Sequence, residues 1–572
     1  MMNADTVQTL ATLRTRFGPR VARRKVRLVS RAARSDLSDA RTLRTCHDLL
    51  MFMAAYPDDR DVLRAVEAAL RCVARIARQQ TEALSRRNAR RLQDSGIAGT
   101  ITCGSFTLDA VDWLTRRFPP SVELSFDDES AGPALDDFLP ALVAPVERDG
   151  LLSDRQTTRQ WLRLAAGGRE RDSLAWLAAQ FRRLHCGGET LDRVFDSLEL
   201  SVRWRLRDPA ASRTTIRFPR RPLFFQSAAL ERRVSLLDVL GMPLPPPRRM
   251  TAQDARRMID IGRATLCVRH RETDTLTYAD PHEVALFSLE RGIDVALFAM
   301  TPDRRLPIES YFGFLVARNR VPVGYGGGWV LFDRSEIGVN VFDEFRGGES
   351  ACIFSQVLRV FHHYYGARRF EVDPYQFGAD NPEAIRSGAF WFYYRLGFRP
   401  AEPRLAALAD RQWRRINKEP SYRSAARVLR RLAESTLVFT RDAAPEAEAV
   451  DLSALGLAVT RRIGRRFHGD RRSAEQAAQS AVKAALGVRR RPEWPANQAA
   501  AFDRLCVLMA LIPDLESWPI ADKSSLVAIM RAKGGPTERT YARRLQRHGR
   551  LRAALARLAR AESRRNAPPD PL

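Results

Sequence analysis

Val341-Phe342-Asp343-Glu344-Phe345-Arg346-Gly347-Gly348-Glu349-Ser350-Ala351 is the stretch on which the reading of this 572-residue chain turns. Ahead of it, Ile337, Val339 and Val341 alternate with Glu336, Gly338 and Asn340, the pattern of a half-buried strand over residues 336–342. Two glycines then turn the chain, and beyond them Ile353, Phe354, Val357, Leu358 and Phe361 fall on one helical stripe. The first N–H groups of such a helix have no partner within it, so its start is a place that can hold phosphate.

Working outward, residues 295–298, 311–318 and 321–332 read as strands, the last two joined by a turn at Asn319-Arg320. On the other side, residues 369–373 read as a strand and 382–396 as a helix ended by Gly397. A strand–helix–strand connection of this length predicts parallel pairing of 336–342 with 369–373. The expected fold class is therefore α/β (α+β) with a mixed sheet, flanked by all-α regions. Gly326-Gly327-Gly328 inside a strand predicts either close approach of another backbone or a ligand, or a bulge.

The same order of elements resembles the GNAT superfamily of N-acyltransferases over residues 290–403. Val341, Phe345, Arg346 and Ala351 follow the family's strand-to-helix signature, and Ala389, Tyr393, Leu396, Gly397 and Phe398 its closing signature. The resemblance implies that Arg346, Gly347, Gly348, Ser350 and Ala351 receive the pyrophosphate of coenzyme A or acetyl-CoA. It implies Tyr393 as the acid that protonates the departing thiolate. Glu336 and Asn340 stand where a base or water-holding residue serves the attacking amine, with no covalent nucleophile and no metal. Glu349 takes the position of the loop glycine, and its carboxylate is expected to face the phosphate site. Structural readings stand beside these. Tyr393 shares a helix face with Ala389, Phe392 and Leu396 and suits a core, Arg346 suits a solvated face, and Glu349 suits an ordinary first-turn carboxylate. Residues 390–394, all aromatic, suit a packing cluster.

The rest of the chain reads as helix. Residues 1–205 form an Arg-rich helical region and 206–250 a Pro-rich linker or surface-wrapping segment. The central unit spans 251–410, and 411–572 is a second helical region that includes a helix over 425–437. Lys and Arg number 94 against 67 Asp and Glu, a formal charge of +27 spread along the whole chain. That favours an anionic partner, and nucleic acid or tRNA enters on this ground alone. Two further readings thus stay open beside acyl transfer from acyl-CoA to an unknown amine acceptor: a non-catalytic basic scaffold, and an aminoacyl-tRNA-dependent transferase. Seven cysteines without Cys-x-x-Cys spacing imply neither a disulfide framework nor zinc. His362-His363, adjacent on a helix, is read as surface. No apolar run is long enough to span a membrane, and a cytoplasmic location is expected.

Overall fold

A computed structural model describes residues 4–33, 39–82, 86–126, 132–153, 155–441, 450–488 and 494–566, so the ends of the chain, 1–3 and 567–572, lie outside it. Eleven strands occur among the described residues, in two sheets. A small antiparallel sheet joins β1 (Ile101–Gly104), β2 (Val122–Leu124) and β3 (Val202–Arg205), with β3 in the middle.

The large sheet has eight strands: β4 (Ala285–Ser288), β5 (Ile293–Ala299), β6 (Ser310–Arg318), β7 (Val321–Leu331), β8 (Arg334–Val341), β9 (Arg369–Val372), β10 (Arg399–Pro400) and β11 (Leu437–Thr440). Their order is β10-β11-β9-β8-β7-β6-β5-β4. Strands β4 to β8 form an antiparallel meander, and β8 pairs with β9 in parallel, as the helical crossover requires. Every residue of β5 is buried, which explains the apolar run from Val295 to Ala299.

The crossover is the helix Ser350–Val360, continued by one wider turn over Phe361–Tyr365 and stopped by Gly366 in the left-handed region at φ 81°. Cys352, Ile353, Phe354, Val357 and Leu358 are buried against the sheet. Two sequence expectations change beyond it. The helix expected over 382–396 is two helices, Pro382–Ser387 and Ala389–Arg395, because Gly388 sits at φ 65° between them. The helix expected over 425–437 ends at Leu432, and Leu437 opens β11, which inserts between β9 and β10. The central sheet therefore draws on chain beyond 410. Leu437-Val438-Phe439-Thr440 is a short β-branched and aromatic run whose pattern is lost beside long Arg/Leu-rich helices.

Burial does not follow the boundary at 205. The helices within 4–92 share one apolar core with the large sheet, through residues such as Val29, Phe52 and Val66. The small sheet and the helices around it form a second core from Phe106 to Val268, built around Trp113, Phe181 and Trp204. Helices between 450 and 566 form a third core, joined to the sheet through Leu331 and Phe332. Residues 206–250 hold one helix, Leu236–Gly241, and otherwise wrap the sheet irregularly. Phe218 N–H donates to the Arg320 carbonyl and Gln226 N–H to that of Pro57. No described helix is long and apolar enough to cross a membrane.

Candidate functional site

Strands β8 and β9 pair at only three positions, Arg334 with Arg369, Ser335 with Phe370 and Glu336 with Glu371. Beyond Glu336 they part, although β8 runs on to Val341. The stretch 337–341 keeps its ladder to β7 and, among the described residues, has no strand on its other edge. The Gln376 side chain lies across this opening, where a Cβ at Gly338 would come within 3.0 Å of it.

One face of β6, β7 and β8 leads to the opening. The registers align Tyr311 with Trp329 and Glu336, Gly313 with Gly327 and Gly338, and Leu315 with Tyr325 and Asn340. A row of glycine thus runs between two rows of side chains. A Cβ on Gly327 would strike the Tyr311 ring and one on Gly313 the Thr275 hydroxyl, so the glycines let those groups lie flat on the sheet. Tyr311 and Trp329 stack with ring centroids 4.3 Å apart. The opposite face belongs to the core, where Phe361 lies over Gly328. The irregularity in this pair of strands falls at Val316/Ala317 and not at Gly326-Gly327-Gly328; another backbone approaches only Gly326, at the Gly338 carbonyl, while Gly327 and Gly328 meet the rings of Tyr311 and Phe361.

Glu336 stands in that face at the point of parting. Burial pushes its carboxyl above the usual glutamate value; Arg334 opposes the shift, and the carboxylates of Asp373, Glu309 and Glu371 add to it. Asn340, four residues along the same face, is exposed, with its amide nitrogen 3.5 Å from the Tyr325 hydroxyl.

Past Asn340 the face opens into a cleft of about 320 Å³ lined by Tyr325, Asn340, Phe342, Glu344 and Arg346 and by Arg44, Arg213, Arg269, His270 and Arg271 from other segments. Arg213 and Arg269 are held there by the buried Glu344, at 3.0 and 2.9 Å. Burial pushes the Glu344 carboxyl up, but the two guanidinium groups outweigh it and hold it below the usual range. Arg269 also lies 3.9 Å from the centre of the Phe342 ring. Arg271 is exposed and makes no ion pair among the described residues. Arg346 is exposed, pairing with Asp343 at 2.9 Å and Glu383 at 2.6 Å. Such solvated pairs are worth little and can exchange for a ligand's anion.

The glycine loop itself differs from expectation. Glu349 does not face a phosphate site. Its side chain is completely buried, paired with Arg291 and, at 3.0 Å, with Arg318, and it accepts from the Glu231 N–H at 2.9 Å. The Gly348 N–H donates to the Phe345 carbonyl, and the Glu349 N–H to the hydroxyl of Tyr56, at 3.3 Å. A Cβ on Gly348 would meet that same hydroxyl at 2.8 Å. Gly347 is exposed at φ 82°, and its carbonyl accepts from Arg232. Of the predicted phosphate residues, Arg346, Gly347, Ser350 and Ala351 keep some exposure, while Gly348 is sealed under Tyr56.

Tyr393 is buried among the rings of Phe354, Phe377, Phe392 and Phe398, with centroids 5.1 to 6.3 Å away. Burial pushes its hydroxyl well above the usual phenol value, so it keeps its proton at neutral pH. The neighbouring Trp391 and Tyr394 pack with Trp413 and Phe390 packs on both of them, a cluster of the kind the sequence suggested. His362 and His363 are half-buried, and each meets a backbone carbonyl, of Ala367 at 2.6 Å and Leu240 at 3.0 Å. No group of His, Cys, Asp and Glu able to hold a metal occurs among the described residues.

Comparison of the chain with protein-family models, with curated proteins and with solved structures returned no match.

Sequence reasoning missed Tyr56, Arg291, Arg318, Gln376 and the cations Arg44 and Arg271. Only Arg318 carried a signal, a charged residue closing an otherwise apolar strand pattern.

Proposed function

We propose that the central sheet is the catalytic unit of a GNAT-like, acyl-CoA-dependent N-acyltransferase. The observation that carries this reading is the parting of β8 from β9 immediately after Glu336, beside a cationic cleft. An unpaired strand edge offers alternating N–H and C=O groups to an extended ligand, as in peptide recognition by strand addition. The amide-bearing arm of coenzyme A suits the edge 337–341, with its thioester near Glu336. Its phosphates then fall toward the cleft, where Arg346 and Arg271 supply positive charge, with the exposed Gly347 next to Arg346 in the chain.

In this arrangement the acceptor nitrogen attacks the thioester carbonyl directly. Glu336 takes the proton from nitrogen, the C–S bond breaks, and the thiolate leaves with a proton from Tyr393. A carboxyl with a raised pKa suits the first role; the second rests on the position that the GNAT resemblance gives Tyr393, since burial makes its hydroxyl a weaker acid than a free phenol. Asn340 positions the amine or its bridging water. The acyl group and the acceptor are left open by these residues.

Titration of the purified protein with coenzyme A and acetyl-CoA tests the reading. Saturable binding is expected, weakened about 5- to 30-fold in Arg346→Ala, a charge-assisted contact of about 1–2 kcal/mol. Absence of binding up to millimolar coenzyme would remove the proposal. Tyr393→Phe is expected to lower turnover about 10- to 100-fold with coenzyme affinity unchanged; an unchanged rate would return Tyr393 to the core alone.

A further inference from the structure

A second cleft, of about 330 Å³, lies between the third helical core and the end of the crossover helix. One wall is the helix Glu538–Gln546 and the turn after it, which present Arg539, Arg543, Arg544 and Arg547. Three of them, Arg539, Arg543 and Arg547, recur every fourth residue and so lie on one stripe, about 6 Å apart along the axis. The other wall holds Tyr364 and Tyr365.

This helix is held rigidly. Glu283 accepts from the N–H of Glu538 at 2.7 Å and pairs with Arg305 at 2.8 Å, while Lys533 pairs with Glu538 beneath. The arginines are not consumed by that anchoring. Arg539 stacks on the Tyr364 ring at 3.9 Å and donates to the Tyr364 carbonyl, and Arg543 donates to the Gln546 side chain. None of the four pairs with a carboxylate among the described residues, and the one acid in the cleft, Glu283, is already taken by Arg305. Burial lowers the pKa of Arg543, and the charges of Arg539 and Arg547 lower it further, as uncompensated like charges do.

The cationic lining is longer than one phosphate. Thr537, Thr540 and Arg544 are shared with an adjoining cleft of about 200 Å³, which adds Arg531 and Gln498. A track of five guanidinium groups that continues from one cleft to the next fits a polymer with repeated negative charge better than a single small anion. Buried arginines such as Arg318 and Arg305 are matched by carboxylates, whereas these five line two adjoining clefts with no carboxylate paired to them among the described residues.

We propose that this track binds the phosphodiester backbone of a nucleic-acid strand, through arginine–phosphate contacts without base readout. The site is separate from the parting of β8 and β9 and does not rest on the acyltransferase reading.

The test is fluorescence anisotropy of a labelled 20-nucleotide single strand titrated with the full chain at several salt concentrations. The logarithm of the affinity should fall linearly with that of salt. The triple variant R543A/R544A/R547A should bind about 100-fold more weakly at 0.1 M salt, with a slope shallower by about 2, at 0.7 per lost contact. The variant R543K/R544K/R547K should recover most of the affinity, which loss of folding would not allow, and the pair R544A/R547A, both exposed, should give an intermediate loss. Equal affinity and slope in the triple alanine variant would overturn the proposal, as would no binding by the native chain at 50 mM salt. Binding of a mononucleotide as tightly as the 20-mer would also overturn it, in favour of a small phosphate ester. Coenzyme titration of the same variants should be unchanged.

Discussion

Replacing Glu349 with alanine is expected to destabilise the unit around the large sheet by about 3–5 kcal/mol, because it strands a buried guanidinium. Arg318 has no exposed side-chain surface, and its ion-pair partner among the described residues is Glu349. Burial lowers the Arg318 pKa, and the Glu349 charge opposes that shift. What remains for Arg318 after the substitution is a contact to Gln226 at 3.1 Å and the faces of Tyr56 and Phe224, about 5 Å from its centre. These do not replace a carboxylate in a low-dielectric site. For a cooperative unit of roughly 150–250 residues, such a loss lowers the midpoint of thermal unfolding by about 6–20 °C. The double variant R318M/E349L should recover much of it, since an apolar pair leaves no charge unpaired. Near-native stability in Glu349→Ala would mean that Arg318 finds water or another partner, and the sealed loop described above would be incorrect.

The second large effect concerns Glu336. Glu336→Gln should lower acyl transfer about 10²- to 10⁴-fold, the usual contribution of a positioned base, with coenzyme affinity unchanged. The sign for stability is opposite to that for activity. A carboxyl whose folded-state pKa is raised favours folding in its protonated form. That increment is present below the ordinary glutamate value and lost as pH rises through the raised one. The neutral glutamine removes the loss, so Glu336→Gln should be at least as stable as the native chain at neutral pH. The native rate should rise with pH along a limb displaced above the ordinary glutamate range, and the residual rate of the variant should lack that limb. A variant that turns over at the native rate would remove Glu336 from the mechanism. One that is inactive and also unfolded would show that its role is structural.

The strands 310–318, 321–331 and 334–341 were legible because their periodicity is local. The first two are apolar and glycine-bearing runs joined by a polar turn, the third alternates apolar with polar residues, and the glycine turn separates a period of two from a period of 3.6. Parallel pairing of β8 with β9 followed from the length of the helical connection alone. By contrast, β11 is a four-residue strand that completes the sheet from 65 residues beyond β9, and no local pattern distinguishes it from a helix end.

The candidate site divides in the same way. Glu336, Gly338 and Asn340 share a face because a strand alternates, and the sequence by itself determined that much, along with the turn at Gly347 and the helix that follows. It could not determine where Glu349 points. Read locally, a first-turn carboxylate faces solvent or a ligand. In the folded chain it turns inward because Arg291 and Arg318, 58 and 31 residues away, converge on it from β6 and the turn before β5, and Tyr56 covers the loop amide. The arginine track on the helix Glu538–Gln546 shows the same division. Its four-residue spacing is written in the sequence, whereas the pairing of the cleft's one acid, Glu283, with Arg305 and not with the track was decided by tertiary packing, because charge compensation depends on distance in space and not on separation along the chain.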